Sequence, residues 1–335
     1  MSQLGELTMN PKMLVSDAAS LLNISTQAIH KRLKANNLEF EKKQNLISFK
    51  HKTARKLFKI PFKQKTIAIQ IVKGGTGKST LTHSIAVRAN LYGARVLCID
   101  LDQQGNLTQA FQVNAQKVPV LIDVIAGGLD LNATILPIIE GLDLIPSRIE
   151  NAALDNTLML NMSPIDRVYK QMFDPLRKKY DLILIDCPPA IGQSVAAAAL
   201  AADIIIAPVT PEKFSLSGLK LTAQEISNIE KKYKKKIPLR IALNKYDTRT
   251  TLSHETLTQL IQHKTYNRNM LKSYIRISQE FPNVIAYGIS IYDSYRTTSA
   301  KEDIDLLTKE ILMINSLLSK DGEEELIGSL EDVSL

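Results

Sequence analysis

The chain has only two cysteines in 335 residues, and that scarcity removes whole architectures. Cys98 and Cys187 cannot build a disulfide framework or a four-thiolate zinc site. Both lie in or just after apolar runs, where a thiol reads as a small buried hydrophobe. No run approaches the ~18 to 20 apolar residues that span a bilayer. The opening MSQLGELTMNPK holds no hydrophobic signal-peptide core. The expectation is a soluble, cytoplasmic protein. Apolar residues make up 44% and charged residues 23%, so most of the chain can bury a core. The length suits one large domain with an appendage, or two domains.

The net charge of +8 is unevenly placed. Residues 1–65 hold 13 Lys and Arg against 4 Asp and Glu, a net of +9, so the other 270 residues net −1. Within that remainder, residues 231–276 hold 12 basic and 2 acidic residues, a net of +10. Residues 321–335, DGEEELIGSLEDVSL, hold 6 acidic residues and no basic one. Two basic regions and an acidic tail point to an anionic polymer as partner, and nucleic acid is the first candidate. The plain alternative is a solvated lysine-rich face.

Residues 12–60 read as a small separate helical unit. Ser16 is placed to cap a helix over SDAASLLN, with Ala18, Ala19, Leu21 and Leu22 inward. Asn23-Ile24-Ser25 reads as a tight turn. Ser25 caps a second helix, TQAIHKRLKANN, whose Ala28, Ile29 and Leu33 share one face. Thr26, Gln27, His30, Lys31 and Lys34 lie on the other. This is the layout of a helix-turn-helix, whose second helix enters a major groove. An ordinary helical hairpin is the competing reading. Residues 46–59, LISFKHKTARKLFK, fit a wing strand followed by a basic helix. The expected divisions are a helix-turn-helix domain over 1–60, a linker PFKQK over 61–65, a large domain over 66–320 and the acidic tail over 321–335.

From residue 66 short apolar strands alternate with longer helical stretches. Expected strands are 66–72, 95–100, 142–146, 181–186, 203–209, 239–244 and 283–289, and expected helices include 78–92, 164–179, 215–232 and 300–318. Several strands are apolar at nearly every position, as parallel strands covered on both faces are. The expected fold class is α/β, a doubly wound and mainly parallel sheet, with the small N-terminal winged helix-turn-helix appended. No internal repeat is present, and KKYKKK at 231–236 is the only low-complexity piece.

The first strand runs into Lys73-Gly74-Gly75-Thr76-Gly77-Lys78-Ser79-Thr80. The ordinary P-loop pattern has a glycine five residues before Gly77, where this chain has Val72. Here a lysine stands ahead of the glycines instead. Glycines let backbone N–H groups wrap a phosphate, and the following helix adds its positive end. Lys78 is placed for the terminal phosphates, Ser79 for Mg²⁺ and Thr80 for the α-phosphate. Asp100 and Asp102 end the second strand and Asp186 the fourth, where a Mg²⁺ shell is completed beside such a loop. Strand-end aspartates also cap helices, but three beside one phosphate loop make that a weak account of the set.

KGGTGKST, VLCIDLDQQGNLT, YDLILIDCPPAIG, ADIIIAPVTPEKFSLSGL and LNKYDTRT, in that order, resemble the ParA family of DNA-partitioning ATPases, of the deviant Walker A P-loop class. The likeness covers about residues 66–300. The N-terminal unit is similar to the extension of the longer, plasmid-type members, which also repress their own operon. The resemblance implies roles for single residues. Lys73 matches the signature lysine that reaches a partner subunit's phosphates across an ATP-sandwiched dimer. Lys78, Ser79 and Thr80 match the Walker A lysine and hydroxyls, and Asp102 the aspartate that positions the attacking water. Asp100 and Asp186 match carboxylates near Mg²⁺. Asn244 falls in the segment that reads the adenine, and Arg249 matches a residue used on non-specific DNA.

The implied protein uses ATP and Mg²⁺, closes as a homodimer on ATP, binds DNA without sequence preference and answers to a ParB-type centromere-binding partner. Residues 231–276 are expected to form that DNA surface, with Arg249, Lys272 and Arg276 as contacts. A MinD-like positioning ATPase is one rival, although the acidic C-terminus has the wrong sign for a basic membrane helix. An iron-protein-like reductase would need cysteines placed to share a cluster. A nucleotide-sensing repressor without a segregation role fits the helix-turn-helix equally well, and hydrolysis separates the two.

Overall fold

The structure, a computed structural model, describes residues 9–212 and 215–318; the acidic tail 321–335 lies outside the described residues. A short strand β1 (Met13–Leu14) leads into helix α1 (Val15–Leu22) and helix α2 (Thr26–Ala35). Leu14, not Ser16, is the N-cap of α1, and Ser16 sits within the first turn. The extended β1 fixes this start by pairing with a later strand, so no side-chain cap is used. Asn23 closes α1 in the left-handed conformation at φ 51°, as a turn asparagine can. Ser25 caps α2, its Oγ accepting from Ala28 N at 3.1 Å. Strands β2 (Glu41–Lys43) and β3 (Leu46–Phe49) form an antiparallel hairpin, and helix α3 (His51–Phe58) follows. β1, β3 and β2 make a three-stranded sheet in that order.

This unit is not a loosely tethered appendage. Met13, Ile29, Leu33, Phe49 and Phe58 belong to the same apolar cluster as Ile67, Ile85 and Tyr92 of the large body. Arg55 donates to the Gly93 carbonyl and to Asp181 Oδ2, each at 2.7 Å. Gly93 has φ 89°, and a Cβ there would lie 2.6 Å from the Arg55 Cα, so only glycine permits the approach. Residues 61–65 are correspondingly anchored: Lys65 already begins the next strand, and its Nζ donates to the Ile311 carbonyl at 2.7 Å.

The body is an eight-stranded sheet. Its strands are β4 (Lys65–Ile69), β5 (Val96–Asp100), β6 (Leu136–Ile139), β7 (Leu142–Ile145), β8 (Leu182–Asp186), β9 (Ile204–Val209), β10 (Leu239–Tyr246) and β11 (Met270–Arg276). The spatial order is β11-β10-β9-β4-β8-β5-β7-β6, parallel except for β6 against β7. β4, β5 and β8 are covered on both faces, which explains their unbroken apolar runs. Helix α4 (Lys78–Leu91) follows β4 and is buried along nearly its whole length. The register sets Asp186 beside Ile69 on one side and beside Asp100 on the other. The carboxyl ends of the three central strands therefore finish level.

Two expected elements are corrected, and one unexpected strand appears. Residues 283–289 are no strand; they lie mostly in the helix Glu280–Tyr287, ended by left-handed Gly288. Only Val284 of that helix is buried, so the apolar run covers one helical face. The outer strand is β11, whose MLKSYIR alternates exposed and covered positions. The stretch 164–179 is broken into the helix Val168–Phe173 and a 3₁₀ turn Leu176–Lys178, with Pro175 between. Edge N–H groups of β11 are taken by carboxylates of the helix Ser299–Leu312. Glu310 accepts from Lys272 N at 2.7 Å and Ser273 N at 2.8 Å, and Asp303 from Arg276 N at 2.8 Å. An edge so occupied cannot template another strand.

His83 on α4 is fully buried, its ring tilted against Phe111 with centroids 4.6 Å apart, with neither ring nitrogen hydrogen-bonded among the described residues. Burial pushes its pKa down from 6.5 to about 3. A neutral native imidazole binds fewer protons than the unfolded one, so its stabilising contribution is full above about pH 6.5 and falls with pH below it. Relative to a His83→Leu variant, the wild type should lose about 1.4 kcal/mol per pH unit as pH drops below about 6.5. Urea unfolding of both proteins at about pH 7.5 and about pH 5 measures this, and a stability difference independent of pH would contradict it.

Candidate functional site

The loop joining β4 to α4 has the conformation its glycines predict. Gly75 and Gly77 have φ of 75° and 88°, and Gly77 is the N-cap of α4. A Cβ on Gly74 or Gly75 would meet nothing within 4 Å, so the loop's face is open. At Gly77 a Cβ would lie 2.5 Å from Asn244 Nδ2, so the strand end of β10 presses on the loop from behind. Lys78 opens α4, is 7% exposed and donates to the Lys73 carbonyl at 3.3 Å. Burial lowers its pKa, opposed by the carboxylates of Asp186 and Asp102. Ser79 and Thr80 follow in the first helical turn, half-buried.

Three carboxylates stand at or just past neighbouring strand ends, in different circumstances, and Asp186 and Asp102 act on this ammonium. Asp100 is fully engaged: Oδ1 accepts from Asp102 N at 3.1 Å, and Oδ2 from Thr108 N at 2.9 Å and Thr108 Oγ1 at 2.7 Å. Burial raises its pKa to about 7 against those hydrogen bonds. Its place is to hold the loop 102–108 in shape. Asp102 is 6% exposed, and Oδ1 accepts from Gln104 N at 3.0 Å. Its other oxygen makes no hydrogen bond among the described residues. Asp186 is fully buried, and its Oδ2 has no hydrogen-bond partner among the described residues. Burial and the neighbouring Asp100 push its pKa well up, while the Ser79 hydroxyl and Lys78 pull it down.

An orphaned buried carboxylate oxygen next to a helix-start serine fits a divalent cation that brings phosphate oxygens of its own. Ser79 and Asp186 are the residues that suit Mg²⁺, whereas Asp100 lacks an uncommitted oxygen for it. Thr76 Oγ1 is also buried without a partner among the described residues, within the loop itself.

Lys73 is held within its own chain. Its Nζ donates to Glu212 Oε2 at 2.6 Å and to Ser215 Oγ at 2.9 Å. Glu212, kept below the usual carboxylate range by that lysine, was not singled out in the sequence, although it stands in the segment after β9 that carries the family resemblance. Lys245 and Thr108 were missed as well. Lys245 Nζ donates to the Gly75 carbonyl and Asn244 Nδ2 to the Thr76 carbonyl, each at 2.7 Å. Asn244 is thus fastened to the phosphate loop, and its amide is not pointed at open space.

The residues assigned to DNA fall in separate places. Gln27, Lys31 and Lys34 are exposed and His30 is half-buried on α2, opposite buried Ile29 and Leu33. The basic region 231–276 is not one surface. KKYKKK precedes β10, while Arg249 follows it, about 25 Å along the strand at its usual rise. Arg249 is 82% exposed and paired with Asp247. The Lys272 side chain is exposed and has no ion-pair partner among the described residues. Arg276 is not free for phosphate: it binds Asp303 and Glu302 at 2.6 and 3.2 Å and clamps β11 to the helix Ser299–Leu312. Cys98 and Cys187 are buried, free thiols. No helix of the described residues is long and apolar enough to cross a membrane.

Comparison with known proteins agrees with this geometry. A family model described as an AAA domain matches residues 64–239. A ParA family protein of Chlamydia pneumoniae is 32% identical over 254 residues, 75% of this chain and 98% of that protein. Among solved structures, a plasmid partition protein of Borrelia burgdorferi superposes with a TM-score of 0.55 at 26% identity, covering 67% of this chain and 98% of that one. A cobyrinic acid a,c-diamide synthase of Mycobacterium smegmatis with bound ADP and magnesium gives a TM-score of 0.59 at 27% identity, covering 67% and 91%.

Proposed function

The chain belongs to the ParA family, and from that premise we propose that it is a DNA-partitioning ATPase that also binds an operator through its N-terminal unit. The observation that carries the proposal is buried Lys78 in the field of a buried carboxylate, Asp186, whose Oδ2 has no hydrogen-bond partner among the described residues. A buried charge cluster left incomplete in this way is a site prepared for a ligand. The open glycine loop beside it suits the phosphates of ATP, and Ser79 and Asp186 would hold the accompanying Mg²⁺. Mg²⁺ held there would supply positive charge to the phosphate oxygens.

The chain's own residues do the rest. Lys78 meets the charge that develops on the terminal phosphate, together with N–H groups of the loop 74–79. Asp102 has one oxygen tied to Gln104 N, and the other orients a water for attack. Lys73 must leave Glu212 and Ser215 to reach the phosphates of a second subunit, so closure of the homodimer exchanges a pairing within the chain for one between chains. Closure gathers Arg249 and Lys272 of both subunits into a surface for DNA of any sequence. A ParB-type partner stimulates hydrolysis and releases the dimer. The working place of such a protein is the nucleoid within the cytoplasm.

The N-terminal unit acts as a winged helix-turn-helix in this reading. Helix α2 offers Gln27, His30, Lys31 and Lys34 to a major groove, and the β2–β3 hairpin is the wing. Its docking on the far end of α4 ties operator reading to the helix that begins at the phosphate loop. His51 Nδ1 lies 3.0 Å from the Asn90 carbonyl there.

Two measurements test these roles. Asp102→Ala should bind ATP as the wild type does, lose about 10²- to 10⁴-fold in hydrolysis, and accumulate on random DNA as a dimer. Turnover at the wild-type rate would show that Asp102 does not handle the water. Lys31→Ala with Lys34→Ala should weaken operator binding and flatten its salt dependence, with ATP turnover unchanged. The log–log slope should fall by about one unit for each DNA phosphate that the variant no longer neutralises. Unaltered operator affinity would take α2 out of the groove.

A further inference from the structure

Strand β10 ends in Asn244-Lys245-Tyr246. Lys245 is left-handed at φ 56°, and the register of β10 against β11 slips across this stretch. The resulting bulge lets two consecutive side chains, Asn244 and Lys245, both reach carbonyls of the phosphate loop. Tyr246 turns into the core, with its ring 5.2 Å from Tyr274 and 5.9 Å from His254. Asp247 follows directly, at the first position beyond the strand end. A base whose phosphates lie on the loop 74–79 comes to rest beside this strand end, at the carboxyl rim of the sheet.

The two purines differ in what they present to a carboxylate there. Guanine offers two neighbouring donors, its N1–H and its 2-amino group. Adenine offers an acceptor, N1, in place of the first. A free carboxylate accepts both guanine donors and repels the adenine N1. Asp247 is not free. Its Oδ1 accepts from Arg249 Nε at 2.9 Å and from Arg249 N at 3.0 Å, and its Oδ2 from Arg249 Nη2 at 2.9 Å. The guanidinium fork thus shows Asp247 the same two-donor edge that a guanine would show.

We propose that the Asp247–Arg249 pair sets which purine nucleotide this chain accepts: Asp247 is a guanine-reading carboxylate, and Arg249 occupies it in place of guanine so that adenine is taken. The pair deepens the ATP reading and rests on it. Arg249 is a specificity-determining residue here, whatever contact its exposed edge makes with DNA. Its side chain is 82% exposed, so its removal leaves the core intact.

The test is competition of ATP and of GTP, each with Mg²⁺ and without DNA, against a fluorescent nucleotide. The wild type should prefer ATP. Arg249→Ala should shift the ATP-to-GTP affinity ratio toward GTP by about tenfold or more, the size of one bidentate base contact. Adding Asp247→Asn should return the ratio toward the wild-type value, because the amide no longer accepts twice. A purely structural part for Arg249 moves both affinities together. A ratio unchanged in Arg249→Ala therefore overturns the proposal while ATP binding by the wild type stands. A wild type that binds neither nucleotide overturns the ATP reading and this proposal together.

Discussion

Everything at the nucleotide rim depends on the level finish of three parallel strands. Asp100 and Asp186 stand opposite each other in register, and Ile69 stands opposite Asp186, so the loop leaving β4 starts beside both carboxylates. That places the Lys78 ammonium among acidic groups in a site largely closed to water. Burying such charges costs several kcal/mol each unless pairing and hydrogen bonds are complete. Here they are complete for Asp100 and incomplete for Asp186. A phosphate and its cation would balance that remainder. A one-residue slip of β8 would turn Asp186 to the other face and dissolve the site.

The same rim is fastened from two directions, and α4 is held at its opposite end from a third. Glu212 and Ser215 hold Lys73. Asn244 and Lys245 hold the loop carbonyls. At its far end α4 is gripped by the N-terminal unit through His51, and Arg55 grips Gly93 just beyond. The unit and the body share one apolar cluster, so α2 is packed onto the same core as the body. In the proposed dimer two such units would stand at a set separation, which suits a two-part operator.

The phosphate loop was legible because its chemistry leaves few choices: glycines at left-handed positions, then a lysine and hydroxyls at a helix start. The doubly covered strands were legible from their unbroken apolar runs. What stayed hidden depends on partners distant in sequence. NVIAYGI has the composition of a strand, yet buries one face as a helix ended by Gly288. β11 carries Lys272 and Arg276, and its edge groups find Glu310 and Asp303 some 27 to 38 residues on. Net charge counted Arg276 as free, but counting cannot see an ion pair. Ser16 lost its capping place because β1 pairs with β3 and starts the helix at Val15. The positions of Asp100, Asp102 and Asp186 near the loop were legible from strand ends, but their unequal hydrogen bonding was not.

The central claim is that the nucleotide held at residues 73–80 decides whether the protein grips DNA without regard to sequence. Binding to random DNA by the intact protein in four states, without nucleotide, with ADP, with ATP and with a non-hydrolysable ATP analogue, each with Mg²⁺, tests it most directly. The account predicts tight, salt-sensitive binding with ATP and the analogue, and weak binding in the other two states. Equal affinity for random DNA in all four states would contradict it.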